Sequence, residues 1–300
     1  MFVQQVINGL TVGGVYALIA LGYTMVYGIL ELINFAHGEI YMLGAYLGII
    51  FLGFFTAIGL TAYSLPLALA LTFVLSIVFC SAYGFTIEKT AYKPLRNASR
   101  LSPLISAIGV SIFLQNYVML TQGATDKVFP HLFEETGFEM QGMTFTYIQI
   151  FIIVVSAVLM MLLNLFITKT RMGKAMRAVA QDKTMASLVG INIDTVISVT
   201  FVIGSGLAAV AGLMVAMYYG LVNYSIGYIA GIKAFTAAVL GGIGSIPGAM
   251  FGGILLGLVE SLSSSYISPE YKDAYAFIIL IIILLIKPSG LFGKAHEEKV

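Results

Sequence analysis

Hydrophobic residues fall along this chain in long, nearly uninterrupted runs. They occupy Leu10 to Leu30, Ile40 to Leu60, Leu65 to Ile87, Leu104 to Leu120, Tyr147 to Ile167, Thr195 to Tyr219, Ala234 to Leu262 and Ala274 to Ile286. A helix needs about 20 mostly apolar residues to cross roughly 30 Å of hydrocarbon, so the pattern predicts about eight spanning segments. Alternation of period two, the mark of a membrane barrel, is absent, and the runs are too long for barrel strands. The expected fold class is therefore an all-α polytopic membrane protein, a single transmembrane domain over 1–300.

Two of the runs are punctuated. Gly241, Gly242, Gly244, Pro247 and Gly248 interrupt the seventh, and Asn34, His37, Gly38 and Glu39 precede the second. Such sequences make shorter helices joined by a break, and backbone that leaves a helix at membrane depth must be buried in protein or line a wet path. Each half then reads as span, interruption and glycine-rich helix, which suggests pseudo-repeat halves of roughly 1–120 and 147–290. Stripes of small residues, Gly204, Ala208, Gly212 and Ala216 on one helix and Gly244, Gly248 and Gly252 beside the second break, predict close helix packing.

Charge sets the orientation. Lys89, Lys93, Arg96 and Arg100 follow the third run, and Lys169, Arg171, Lys174, Arg177 and Lys183 fill the stretch 168–194, so both loops are expected on the cytoplasmic side. Between them, Asp126, Glu134, Glu135 and Glu139 oppose Lys127 in a loop expected outside. Three simple crossings from the second basic loop would leave the tail, with Lys287, Lys294 and Lys299, on the outer side. The broken run, returning to its own face, repairs that parity. No Lys or Arg precedes the first run, so it is expected to be retained rather than cleaved as a signal.

Composition agrees: 59% of residues are hydrophobic, only 10% are charged, and mean hydropathy is +0.99, so much of the surface must face membrane lipid. A formal net charge of +1 without a long basic run disfavours nucleic acid as a partner. Cys80 is the only cysteine and the three histidines are far apart, so no metal site is expected. A nucleotide-binding loop is missing, since Gly173-Lys174 and Gly293-Lys294 are each followed by alanine. The expectation is no catalytic residue, no cofactor and no ATP hydrolysis by this chain. Among ionisable residues near the spans, Glu31, Lys233 and Glu260 are expected in structural or interfacial roles and His37 with Glu39 along a path.

In the second basic loop, Met172, Met176, Val179 and Ala180 recur at helical spacing while Lys174, Arg177 and Gln181 fall on other faces. Periodicity alone fits both a helix docked in a partner's groove and a helix resting on anionic lipid, and it favours the lipid-resting helix. The same stretch, Gly173-x-x-x-Arg177-Ala178-x-x-x-Asp182-x-x-x-Ala186-x-x-x-Gly190-Ile191, resembles the cytoplasmic coupling loop of ABC importer permeases of the branched-chain amino acid family. So do Tyr23 to Gly28 with Ile33 to Glu39, Ile105 to Gly109, and Ala237 to Ala249. The likeness runs nearly end to end and is greatest to the LivH-type branch.

The resemblance implies a type II ABC importer-like permease of the bacterial inner membrane. It would pair with a second, homologous permease of LivM type, two ATPase subunits of LivG and LivF type, and a periplasmic substrate-binding protein. It implies that Gly173, Arg177, Ala178, Asp182, Ala186 and Gly190 form the ATPase-coupling loop, with Arg177 and Asp182 as polar contacts. Branched-chain amino acids would pass by alternating access along a path to which Asn34, His37, Glu39, Ser106, Gly241, Gly244 and Ser245 contribute. Urea or amide permeases share the scaffold, and an ATP-independent carrier would use the same breaks.

Overall fold

The computed structural model describes residues 2–96, 98–99, 101–130, 137–140 and 143–293. Arg100, Glu134, Glu135, Lys294 and Lys299, counted in the charge pattern above, lie outside the described residues, as does the Glu139 side chain. The described chain is helical nearly throughout: α1 (Phe2–Leu30), α2 (His37–Ala57), the single turn α3 (Leu60–Tyr63), α4 (Leu65–Ile87), α5 (Leu101–Gln122), α6 (Tyr147–Lys169), α7 (Arg171–Gln181), α8 (Lys183–Leu188), α9 (Ile193–Tyr219), α10 (Ile226–Gly241), α11 (Ile246–Tyr266) and α12 (Lys272–Ile286). Among the described residues, seven helices are long and apolar enough to cross a membrane, and α10 is a shorter apolar one.

α1 and α9 are apolar all round and form the buried axis of the bundle. Small residues let the neighbours close on them. A side chain at Gly9 or Gly13 would run into the α11 backbone at Leu258 or Ile254, and one at Gly212 would strike the Tyr41 carbonyl of α2. Gly248 and Gly252 do the same for α10 against α11, at Gly241 and Ala237. Gly244, grouped with them above, is not a packing residue, because a side chain there would meet open space. α4, α5 and α6 keep apolar outer faces exposed.

The ends of the bundle sort by charge. Lys93 and Arg96 both pair with Asp194, so the two basic loops share one end. At the other end the Gln4 amide donates to the Thr144 carbonyl (3.0 Å), and β1 (Lys127–Val128) pairs antiparallel with β4 (Leu221–Val222). A hairpin of β2 (Gly137–Met140) and β3 (Met143–Thr146) completes that side. After α12 the chain returns to the basic end, where the Leu291 and Phe292 amides donate to the carbonyls of Leu240 and Gly241, both 2.9 Å. Parity is met by four helices, α9 to α12, following the second basic loop: the Ala234 to Leu262 run is two helices, and the first begins back at Ile226.

Candidate functional site: the basic end and the broken helices

The stretch 170–192 is built from caps. Thr170 Oγ1 accepts from the Gly173 amide at the start of α7, Asp182 Oδ1 from the Met185 amide at the start of α8, and Asn192 Oδ1 from the Thr195 amide at the start of α9, at 3.0, 2.9 and 3.0 Å. Each side chain satisfies one of the four orphan amides that a helix start leaves. Gly173 sits against the Ile167 carbonyl with no room for a side chain, and Gly190 takes φ +83, a left-handed value that favours glycine. Along α7, Gly173, Met176 and Val179 are buried while Arg171, Lys174, Arg177 and Gln181 are exposed, so the amphipathic reading of this loop holds.

Among the expected coupling residues, Ala186 is buried, Ala178 is half-buried, and the Asp182 carboxylate caps α8. Arg177 stays exposed, its guanidinium 3.4 Å from the Thr168 carbonyl. What periodicity could not find is the outer apolar face of α8 and the turn after it: Met185, Leu188 and Val189 are 62, 75 and 75% exposed. A six-residue helix is too short to show a stripe, and the only signal was three apolar residues inside a charged loop.

The expected path residues divide into two groups. Asn34, His37 and Glu39 come together where α1 has ended and α2 begins. Tyr92 donates to Asn34 Oδ1 at 2.6 Å, and the His37 ring lies edge-on to Tyr23, centroids 5.0 Å apart, over Gly22. Glu39 is 1% exposed; Ser111 donates to its Oε1 at 3.0 Å, while Glu39 Oε2 and His37 Nε2 have no hydrogen-bond partner among the described residues. Ser111 also lines a cavity of about 320 Å³ with Tyr23, Phe35, Ile112, Gln115 and Tyr228.

Gly241, Gly244 and Ser245 are elsewhere. They form the turn between α10 and α11 at the basic end, where Gly244 shares a cavity of about 80 Å³ with Met176, Arg177 and Ala180. Ser245 Oγ caps α11 by accepting from the Gly248 amide (3.2 Å), and Ser106 donates to the Ala91 carbonyl (3.1 Å). Ser245 thus serves a helix start and Ser106 ties α5 to the turn after α4, and neither lines the 320 Å³ cavity. The ionisable residues expected in structural roles are so placed: Lys233 lies 3.0 Å from Glu260 and 2.6 Å from Asp273, and Glu31 takes φ +58 in the turn after α1.

The first break has a counterpart, and it is not Gly241 to Gly248. Leu32-Ile33-Asn34-Phe35-Ala36-x-Gly38-x-Ile40 matches Leu221-Val222-Asn223-Tyr224-Ser225-x-Gly227-x-Ile229. Both segments follow a positive-φ residue, Glu31 or Gly220. Both restart helix through the same turn bonds, His37 N to Asn34 O and Glu39 N to Ala36 O, Ile226 N to Asn223 O and Tyr228 N to Ser225 O. The helices they start meet at their first turns, since a side chain on Gly38 would strike the Gly227 carbonyl and lie 2.9 Å from Gly231 Cα.

Comparison with known proteins places this architecture. Residues 5–284 match the family model described as branched-chain amino acid transport system / permease component. The high-affinity branched-chain amino acid transport system permease protein BraD of Pseudomonas aeruginosa is 52% identical over 305 residues, covering 100% of this chain and 98% of BraD. The corresponding protein LivH of Escherichia coli K12 is 53% identical over 303 residues, again 100% and 98%. A more distant likeness joins half of the chain to the fructose import permease protein FrcC of Rhizobium meliloti, 30% identical over 156 residues. With packed helices, capped basic loop and full-length similarity in agreement, the chain belongs to the branched-chain amino acid transport permease family.

Proposed function

We propose that this chain is a permease subunit of an ATP-driven importer that carries leucine, isoleucine and valine across the bacterial inner membrane. The observation that carries the reading is the α7–α8 unit: it is rigidly capped, its inner face is buried, and it presents Arg177, Met185, Leu188 and Val189 outward at the basic end. An apolar patch rimmed by cations on a short helix is the form that seats in a groove of a soluble partner. The partner is a cytoplasmic ATPase subunit. Closure of two ATPases on ATP would move the α7–α8 unit, and the permease would shift between two states according to their differential affinity for that partner.

A substrate-binding protein would dock at the opposite end, on the surface that includes β1 and β4. The second, homologous permease would cover the exposed face of α5, where Ile105, Ile112 and Phe113 are 67, 55 and 66% exposed, and close the adjoining 320 Å³ cavity into a path. That cavity suits the cargo: aliphatic Ile108 and Ile112 and aromatic Phe35 for a branched side chain, and Ser111, Gln115 and Tyr23 for a zwitterion in passage. The test is reconstitution in vesicles with radiolabelled leucine, omitting each component in turn. Uptake is expected only with both permeases, both ATPases, ATP and the binding protein. Leucine flux through this chain alone, without nucleotide, would refute the reading.

A further inference from the structure

α4 ends in a π-helical turn, Glu88–Tyr92, which runs into a 3-10 turn, Lys93–Leu95. This irregular stretch buries Glu88 and Tyr92, 0 and 1% exposed. Arg96 bridges Glu88 and Asp194, Lys93 lies 2.6 Å from Asp194, and Ser198 donates to the second oxygen of Glu88 at 2.9 Å. Asp194 stands in the first turn of α9, six residues after α8 ends. On its other side the π turn holds the first break: the Tyr92 hydroxyl donates to Asn34 Oδ1, and the Asn34 carbonyl accepts the His37 amide that starts α2, at 2.6 and 3.0 Å.

An unbroken series of bonds thus joins the α8–α9 junction to the helix start beside the 320 Å³ cavity. The break does not need that series in order to form. Its counterpart makes the same turn with Asn223 Oδ1 satisfied locally by the amide and hydroxyl of Ser225, at 3.1 and 3.0 Å. Burying a carboxylate beside an arginine carries a desolvation cost that an apolar pair would avoid, and π turns recur at functional positions. A cavity of about 580 Å³ borders the same groups, lined by Leu30, Glu31, Tyr92, Arg96, Lys183 and Asp194, and leaves room for the break to shift.

We propose that Arg96 and Tyr92 are positioning residues that transmit displacement of the α8–α9 junction to the start of α2, so that ATPase motion opens or closes the path at the first break rather than at its counterpart. The inference rests on the ATP-driven reading above. It is tested in the reconstituted full complex by the number of leucines moved per ATP hydrolysed, a ratio that loss of folded protein does not change.

Tyr92→Phe removes one hydroxyl and keeps the ring on Phe201; Arg96→Lys keeps a charge and loses the two-carboxylate bridge. Each is expected to leave hydrolysis with loaded binding protein nearly intact while lowering the ratio by about fivefold, the size that one lost hydrogen bond gives. Asn223→Ala is expected to leave the ratio unchanged. An unchanged ratio in Tyr92→Phe, or an equal fall in Asn223→Ala, would overturn the inference; if Arg96→Lys does not assemble, Tyr92→Phe decides alone. An unaltered complex that takes up leucine without nucleotide would overturn the function reading first and this inference with it.

Discussion

Leu188 offers the sharpest perturbation of the coupling surface. It is 75% exposed at the end of α8, so Leu188→Ala should leave the permease's own stability nearly unchanged. Fully burying a leucine stabilises by about 1.5–3 kcal/mol, so the exposed three-quarters corresponds to about 1–2 kcal/mol if it seats in an ATPase groove. That converts to a weakening of roughly 5- to 30-fold in the affinity of the permease pair for its ATPase subunits. The assay is ATPase binding to permease held in lipid nanodiscs, titrated with and without the substitution. Leu162, 55% exposed on the outer face of α6, is the control: Leu162→Ala should bind as the unaltered chain does. Equal binding by Leu188→Ala, or an equal loss from Leu162→Ala, would refute the assignment of α8 as the docked element.

Two further outcomes follow from the packing and the caps. Gly212→Leu forces a side chain into the Tyr41 carbonyl, so α2 and α9 must separate; a loss of about 1–3 kcal/mol or more, read as a lower melting point in detergent, is expected. Asp182→Ala should lose about 1 kcal/mol of cap and reduce uptake, whereas Asp182→Ser, an equally good cap without the charge, should retain it; equal loss in both would return Asp182 to the role of a charged ATPase contact.

Much of this architecture was legible in the chain because lipid and water sort residues coarsely over 20 positions. The long runs located α2, α4, α5, α6, α9 and α12 nearly to their ends and the C-terminal end of α1, which starts eight residues before its run, and the cations located the basic end. Finer features resisted. α10 begins at Ile226, eight residues before the run that announced it, because the charge of Lys233 cuts the apolar run, and the helix carries that lysine buried against Glu260. Gly241, Gly244 and Ser245 looked like a mid-membrane break because glycine and proline mark a turn without marking its depth. The nine-residue match between 32–40 and 221–229 was open to inspection, but the glycine cluster nearby drew the comparison to the wrong place. The cap that Asp182 makes on α8 was not legible either, because a spacing motif carries no information about where a carboxylate points.

The meeting of Gly38 with Gly227 has a consequence for how the molecule is made. The two positions are 189 apart, and at about 5–20 residues per second the ribosome needs roughly 10–40 s to deliver the second after the first. Until then the first turn of α2 sits in the translocation machinery or the bilayer without the backbone that covers it. A product cut short before Gly227 is therefore expected to leave the start of α2 without the backbone that packs on Gly38.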